Sequence, residues 1–248
     1  MTRISVELVP RDVEVLKEEV KTIKEKLSDV DFINIPDLLS CDTRSWDGAN
    51  IAKAYFDDVV PHLRAMDFDF TKELPIKDKL REYNIKEVLV IEGDPPQSML
   101  YQVYPTISTD IIKKFSEEMP EITVYAGIDQ YRSSMKEEEY RIRRKQLAGA
   151  KGFFTQPFFD MRYLEMYADL LGGLDIYWGV SPVLSERSVS YWRNKNNVIF
   201  PKDFEPTLEW NIEFARKVID FARKHNHNVY LMPIKAKIMP YLEGVFAK

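Results

Sequence analysis

The segment 87–94, EVLVIEGD, is a short apolar run that ends in a glycine and a carboxylate. It is followed by STDIIKKFSEEM at 108–119, whose apolar residues recur with the three- and four-residue spacing of an amphipathic helix. A second apolar run, ITVYAGID at 122–129, comes next. Apolar strands that alternate with helices predict a parallel sheet that the helices cover.

The same alternation continues toward both ends of the chain. About eight apolar runs, from ISVELV at 4–9 to VYLMPI at 229–234, are each followed by a helical pattern, such as NIAKAYFDD at 50–58. Such a repeat over 248 residues predicts an α/β fold, a (β/α)8 TIM barrel, as a single catalytic domain over residues 1–248. An open, doubly wound sheet is the alternative, but no G-x-G-x-x-G motif follows the first run.

Composition and charge argue against several classes of function. The net charge is −5 and no basic cluster is present, so we expect no nucleic-acid binding. Cys41 is the only cysteine and there are three histidines, so we expect neither a disulfide nor a metal site. We see no secretion signal, and no apolar run reaches the roughly 18 residues that span a membrane. We therefore expect a cytoplasmic protein that does not associate with membranes.

Glu7 is the most informative polar residue at a strand end, which is where barrel enzymes place their active sites. It lies inside the apolar run ISVELV. A carboxylate that points into a closed barrel is costly unless it has a function, and burial should raise its pKa, which suits a general acid. The alternative is a structural ion pair with Arg11 or Arg64.

Asp94 and its neighbours form a second candidate. Gly93 would let a ligand approach the backbone, and Pro95 and Pro96 would keep the carboxylate in one direction. The alternative is an aspartate that caps the following turn. His62 follows Pro61 and is either a satisfied core histidine or a cofactor contact.

Gln156 lies in the aromatic segment FFTQPFF at 153–159. A heteroaromatic ring with donor and acceptor edges would satisfy both ends of its amide, whereas the alternative is a backbone hydrogen bond inside the barrel. The phenylalanines of this segment are mostly core residues, although one of them is able to stack on a flat ligand.

Taken together, the motifs resemble those of the methylenetetrahydrofolate reductase family, a flavin-bearing (β/α)8 barrel of one-carbon metabolism. VELVPR at 6–11, VVPHL at 59–63, VLVIEGDPP at 88–96 and TQPFFD at 155–160 occur in the family's order. The resemblance implies reduction of 5,10-methylenetetrahydrofolate, or a related pterin, to the 5-methyl form, which serves methionine biosynthesis. It also implies FAD as the cofactor, with NAD(P)H or a reduced partner protein as the electron donor.

The resemblance assigns roles to individual residues of this chain. The catalytic residues are Glu7, as the acid, and Asp94, which stabilises the cationic intermediate. The substrate contacts are Gln156, Phe159 and, as a contact for the glutamyl carboxylates, Lys235. The cofactor contacts are His62, Glu92, Gly93, Asp94, Ala126, Asp129 and Thr155, and no metal is implied.

The sequence departs from the family pattern at flavin-contacting positions. Glu92 stands where the family has an arginine, and GIDQYR at 127–132 replaces Tyr-Pro-Glu-x-His. A carboxylate in place of a cation near the flavin would weaken its binding. Two further functions therefore stay open: a folate- or pterin-binding methyl-transfer protein without redox activity, and a non-catalytic subunit of a larger complex. A homo-oligomer or an electron-donating partner subunit is also compatible with the sequence.

Overall fold

The strands of the chain close into a complete ring. The structure is a computed structural model that describes residues 2–96, 98, 100–234 and 237–247. In the described residues eight parallel strands pair in chain order, and the last strand pairs with the first. This closed barrel with alternating helices confirms the predicted (β/α)8 fold.

The elements follow the predicted alternation. The strands are β1 (Ile4–Glu7), β2 (Phe32–Ile35), β3 (Val59–Arg64), β4 (Glu87–Ile91), β5 (Thr123–Ile128), β6 (Gly152–Pro157), β7 (Ile176–Val180) and β8 (Asn228–Leu231). The helices are α1 (Val13–Lys26), α2 (Ser45–Ala52), α3 (Lys77–Glu82), α4 (Ser108–Glu118), α5 (Met135–Ala148), α6 (Met161–Leu170), α7 (Glu186–Lys195), α8 (Leu208–His225) and α9 (Ile238–Phe246), with a short 3₁₀ helix at Ala65–Asp67.

The second helix begins earlier than the sequence pattern predicts. It occupies Ser45–Ala52 rather than 50–58. Phe56 is buried, and β3 begins at Val59, so the chain has to leave the helix before this point to reach the next strand. Among the helices of the described residues, none is both long and apolar enough to cross a membrane.

Side chains alternate along the strands between the inside of the barrel and the layer under the helices. The inside is filled by a mostly aromatic cluster, in which the Phe154 and Tyr177 rings are stacked with centroids 4.1 Å apart. The cluster consists of Phe32, Val60, Leu89, Tyr125, Phe154, Tyr177, Tyr230 and Met232. The barrel interior is therefore a packed core, and a ligand site has to lie above it.

Arg3 closes the amino-terminal end of the barrel. Its guanidinium donates to the Tyr125 and Tyr177 hydroxyls at 3.3 and 3.1 Å and to Glu87 at 3.3 Å. It also lies 4.4 Å above the Phe32 ring. This end of the barrel is thus sealed by a paired charge, which leaves the carboxyl end for function.

The pairing of β6 with β7 is irregular near the carboxyl end. Phe154 pairs with Tyr177 but Pro157 pairs with Gly179, so β6 carries one residue more than β7 across this interval. A Cβ on Gly179 would lie 2.5 Å from the Thr155 carbonyl oxygen and 2.8 Å from that of Gln156. The bulge therefore requires glycine at this position.

We expect Gly179→Ala to lower the free energy of unfolding by about 1–3 kcal/mol, because the added methyl overlaps backbone atoms that cannot move away cheaply. Urea denaturation measures the change. Gly172→Ala is the control, since its Cβ would meet only the Asp169 carbonyl oxygen at 3.7 Å. We expect a change within about 0.5 kcal/mol for the control. Equal effects of the two substitutions would contradict this account of the bulge.

Candidate functional site

The carboxyl end of the barrel, called the mouth below, brings together residues from distant parts of the sequence. Glu7, Asn34 and His62 follow inward positions of β1, β2 and β3. Across the ring, Gly127 and Gly179 occupy inward positions of β5 and β7 and carry no side chain. The mouth is therefore polar on the side of β1–β3 and lacks a side chain at these two positions on the opposite side.

Glu7 is almost fully buried, with 8% of its surface exposed. Its Oε2 accepts a hydrogen bond from the Tyr230 hydroxyl, and the His62 Nδ1 lies 3.9 Å from the same oxygen. The alternative pairing with Arg11 or Arg64 is not seen: Arg11 lies near Glu19, and Arg64 bonds to Asp67 and to the backbone oxygen of Asp94. In the described structure, Glu7 thus faces a phenol and an imidazole rather than a cation.

Burial raises the pKa of Glu7 to about 7, and the hydrogen bond from Tyr230 opposes this shift only in part. Burial also lowers the pKa of His62 to about 3, so the imidazole is neutral at physiological pH. The pKa of the Tyr230 hydroxyl lies well above its usual value, for the same reason. Near neutral pH, Glu7 therefore holds a proton that it can donate, which is the property of a general acid.

Several polar atoms at this end of the barrel are buried without a hydrogen-bond partner among the described residues. They are both amide atoms of Asn34, Nε2 of His62 and Oγ of Ser181. Buried polar groups normally have partners, so these atoms indicate a polar ligand or ordered water at the mouth. Asn34 and Ser181 are among the polar residues at the ends of the predicted strands, but the sequence assigned no role to them. Each is a polar residue that comes two residues after a position facing the inside of the barrel: Asn34 follows Phe32, and Ser181 follows Gly179. This spacing is the signal that the sequence contains.

Asp94 lies on the rim, and its side chain is exposed. Gly93 has a φ of +88°, which favours glycine, and an added Cβ would lie 3.1 Å from the Cβ of Arg64. Arg64 donates to the Asp94 backbone oxygen at 2.8 Å. The group that packs against Gly93 is therefore the Arg64 side chain, and it fixes the backbone from which the Asp94 carboxylate projects.

Gln156 is the exposed residue of β6 and comes two residues after the inward-facing Phe154. Its side-chain amide has no hydrogen bond to another described residue, so the alternative of a backbone bond inside the barrel is not seen. Its backbone oxygen accepts a bond of 2.7 Å from the Gln130 amide. The side chain is thus available to a ligand while its backbone is held.

The structure does not bring Phe159, another predicted substrate contact, to the mouth. Phe159 is 1% exposed, and its ring is covered by Phe200 and Phe204 at centroid distances of 4.7 and 6.0 Å. It belongs to an aromatic cluster on the outer side of the barrel wall, because the chain has left β6 at this point. Lys235 lies outside the described residues.

Most of the predicted cofactor contacts have other partners in the structure. Ala126 is fully buried in the core under the helices, on the outer face of β5. The Thr155 hydroxyl accepts a bond of 2.8 Å from the Gly179 amide, and Asp129 accepts one of 3.1 Å from the Tyr131 amide. Ala126 and Thr155 do not present their side chains to the mouth because their strand positions face outward or into the bulge, whereas His62 does reach it.

The side chain of Glu92, which follows β4, contacts the amino-terminal end of α4. Its carboxylate accepts bonds from the Ser108 amide at 3.0 Å and the Ser108 hydroxyl at 2.7 Å. The amino-terminal end of a helix is a favourable place for an anion such as a phosphate. Here a carboxylate of the protein itself fills it.

The rim at the ends of β2, β3, β4 and β5 does not fit the diphosphate of FAD. Besides the carboxylate at α4, three arginines of this part of the rim are already paired: Arg44 with Asp37 at 2.6 Å, Arg132 with Glu138 at 3.2 Å and Arg64 with Asp67 at 3.2 Å. A diphosphate would have to displace these partners and would be repelled by Glu92. The mouth itself offers uncharged hydrogen-bond donors and acceptors without partners among the described residues.

Comparison with known proteins supports the sequence resemblance. No protein-family model matches the chain. A curated 5,10-methylenetetrahydrofolate reductase from Buchnera aphidicola subsp. Schizaphis graminum is 22% identical over 147 residues, which covers 57% of this chain and 50% of that protein. The chain thus spans about half the length of this relative. The match confirms the resemblance to methylenetetrahydrofolate reductase that the motifs indicate.

Solved structures share the fold at low identity. An uncharacterized protein from Clostridium thermocellum that binds two copies of 5-methyl-5,6,7,8-tetrahydrofolic acid has a TM-score of 0.63 and 13% identity. The alignment covers 98% of this chain and 94% of that one. A 2,3-dimethylmalate lyase has a TM-score of 0.60 and 9% identity, over 95% and 75% of the two chains. These similarities establish the barrel and not its chemistry.

The raised pKa of Glu7 predicts a pH dependence of stability. The folded protein keeps a proton that the unfolded chain releases above about pH 4.5, so the free energy of unfolding should fall between about pH 4.5 and 7 and then level off. Glu7→Gln should remove up to about 3 kcal/mol of this fall. Urea denaturation at pH 4.5 and 8 measures it, and the exposed Glu18→Gln is the control. Parallel pH profiles of wild type and Glu7→Gln would contradict the shifted pKa.

Proposed function

We propose that the protein binds a reduced, folate-type pterin at the mouth and that Glu7 protonates it there. The observation that carries the proposal is the buried carboxyl of Glu7, bonded to Tyr230 beside a neutral imidazole and titrating near pH 7. The sequence similarity to a methylenetetrahydrofolate reductase supports the choice of ligand. The folate-binding neighbour of the same fold, aligned over nearly the whole of both chains, supports it as well.

The proton has a defined task in this chemistry. Opening the five-membered ring of 5,10-methylenetetrahydrofolate breaks a carbon–nitrogen bond, and the electron pair of that bond stays on the departing nitrogen. Glu7 supplies the proton to this nitrogen and becomes a carboxylate, which the Tyr230 hydroxyl stabilises by its hydrogen bond. The product is a cationic iminium, toward which the Asp94 carboxylate on the rim exerts a favourable field.

Polar side chains at the mouth suit the edge of a pterin ring, which carries both donors and acceptors. Gln156 and Asn34 each offer one carbonyl oxygen and one amino group, and neither amide has a partner in the described structure. His62 adds a buried nitrogen without a partner. We therefore propose Gln156, Asn34 and His62 as the groups that orient the ring.

The full activity that we propose is reduction of the methylene compound to the 5-methyl form. The iminium then accepts a hydride, and the sequence resemblance is the support for this step. The reducing equivalents come from a donor that dissociates, either NAD(P)H or a reduced partner protein. FAD is the cofactor that the resemblance implies, but the pairing of Glu92 and of the rim arginines argues against a tightly bound one.

The second candidate function is folate-dependent methyl transfer without redox chemistry. The same pairing of the rim favours it, because a protein of this kind keeps the pterin site and needs no flavin. A neighbour of the same fold that binds 5-methyl-5,6,7,8-tetrahydrofolic acid is consistent with it. A non-catalytic subunit has less support, since such a role does not require the buried acid.

Glu7→Gln tests the proposed acid. We expect 5-methyltetrahydrofolate to bind within about threefold of wild type, and formation of the methyl compound from the methylene compound to slow by about 10²–10⁴-fold, the usual contribution of a general acid. Calorimetry measures the binding. Single-turnover assays with NADPH or with chemically reduced free flavin measure the rate, and Glu18→Gln is the matched control. A rate within threefold of wild type would exclude Glu7 as the acid, and a wild type that binds no tetrahydrofolate would refute the proposed function.

The flavin question has a direct spectroscopic test. We expect the purified protein to be colourless and to leave the visible spectrum of added FAD unchanged at micromolar concentrations, because Glu92 repels a diphosphate at α4. Glu92→Gln removes the charge while keeping acceptor and donor capacity toward Ser108, and it should strengthen FAD binding relative to wild type. A yellow wild-type protein with one FAD per chain would contradict the analysis of the rim.

A further inference from the structure

The bulge of β6 places two backbone carbonyl groups outside the regular ladder beside the proposed ligand site. Phe154 pairs with Tyr177 and Pro157 with Gly179. The Thr155 hydroxyl accepts the hydrogen bond from the Gly179 amide, which in a regular ladder would go to a backbone oxygen. The carbonyl groups of Gln156 and Pro157 therefore need other donors. Unmatched carbonyls at this depth are costly, because buried polar groups are normally paired.

Two side chains of the β5–α5 loop supply these donors. The Gln130 amide donates to the Gln156 oxygen at 2.7 Å and to the Pro157 oxygen at 3.3 Å. The Tyr131 hydroxyl donates to the Pro157 oxygen at 2.9 Å. Gln130 is only 1% exposed, so these bonds do not compete with solvent.

The loop that carries these donors is itself held from both sides. The Tyr163 hydroxyl of α6 donates to the Gln130 backbone oxygen at 2.6 Å. Asp129 accepts from the Tyr131 amide at 3.1 Å, and its own amide donates at 3.2 Å to Glu138, a fully buried residue of α5. The Gln130 and Tyr131 side chains thus have little conformational freedom. The peptide groups to which they donate are held in place in the same way.

We propose that Gln130 and Tyr131 are positioning residues for the candidate site. They hold the peptide groups of Gln156 and Pro157 so that the Gln156 amide projects into the mouth in one orientation. This inference deepens the proposed function and rests on it as far as the ligand is concerned. The orientation determines whether the donor or the acceptor end of the amide meets a given atom of the ring, so the pair also sets specificity for the edge of a pterin.

The glycines beside Gln156 make this support necessary. Gly127 pairs with Phe154 and Gly179 pairs with Pro157, so these two positions next to Gln156 along the neighbouring strands offer no side chain to it. An exposed glutamine without packing partners would sample several rotamers. Fixing one of them on binding costs conformational entropy, which lowers the affinity for the ligand. Fixing its backbone removes part of this loss before the ligand arrives.

Gln130→Met is the test, because methionine has a similar length and shape but no amide donors. We expect 5-methyltetrahydrofolate to bind about tenfold more weakly, as loss of hydrogen bonds to the two carbonyls implies. Gln146→Met makes the same change at an exposed position of α5 and should leave affinity unchanged. If Gln130→Met does not fold, Tyr131→Phe removes only the bond to Pro157 and should weaken binding about threefold.

A double-mutant cycle separates positioning from general damage. If Gln130 acts through the Gln156 amide, Gln130→Met should have little further effect in a Gln156→Met background. Losses that simply add, or an unchanged affinity in Gln130→Met, would overturn the proposal. Calorimetry with 5-methyltetrahydrofolate gives the four affinities.

Hydrogen exchange tests the same claim without a ligand. The Gly179 amide, bonded to the Thr155 hydroxyl, and the Phe158 amide, bonded to the Gly179 oxygen at 2.9 Å, should exchange faster in Gln130→Met. Amides of β3 should keep their wild-type rates. Unchanged exchange at the bulge overturns the positioning role whether or not the protein binds folate. Faster exchange in a protein whose wild type binds no tetrahydrofolate supports the positioning role and refutes the proposed ligand instead.

Discussion

The interaction on which the candidate site depends is the hydrogen bond between Tyr230 and the buried carboxyl of Glu7. The two residues lie on the first and last strands of the barrel, which are neighbours only because the sheet closes. A closed barrel has no edge at which the carboxylate could reach solvent, and the aromatic core below it excludes water. The result is a carboxyl group that keeps its proton near neutral pH. The neutral His62 beside it offers no counter-charge that would remove this effect.

At the ends of β2, β3 and β4, the rim is built from charges that have partners within the protein. Arg44 and Arg64 are tied to aspartates of their own or a neighbouring loop, and Glu92 is tied to the start of α4. Such pairs hold the loops in place, but they leave little positive potential for a polyanion on this side of the rim. The site is therefore better suited to a ring that is neutral, or becomes cationic, than to a dinucleotide. This preference is consistent with a pterin whose reaction passes through an iminium.

The bulge of β6 links the sequence departures to the geometry of the mouth. The segment after β5 differs from the family pattern, and the structure shows that Gln130 and Tyr131 of this segment bond to the backbone around Gln156. The segment stands where the family has flavin contacts, but in this structure it supports the backbone of the neighbouring strand. Its role at the mouth is exerted through the residue that it supports.

The sequence by itself determined the order of strands and helices and the burial of a carboxyl in β1. Both follow from local periodicity, because side-chain direction repeats along a strand or helix regardless of its partners. It also indicated Gln156, whose polarity within an apolar segment has no local explanation. The end of α2 at Ala52 escaped it, since the position of the following strand decides where that helix has to end.

Only the tertiary structure decided which groups each polar residue meets. The pairing of Glu92 with Ser108, the burial of Phe159 and the outward direction of Ala126 depend on strand register and on where the chain leaves a strand. Gln130 has no periodic signal, because its partners lie on another strand and exist only at a bulge. Local spacing records the face that a side chain occupies, whereas its hydrogen-bond partner is set by contacts between segments far apart in the chain.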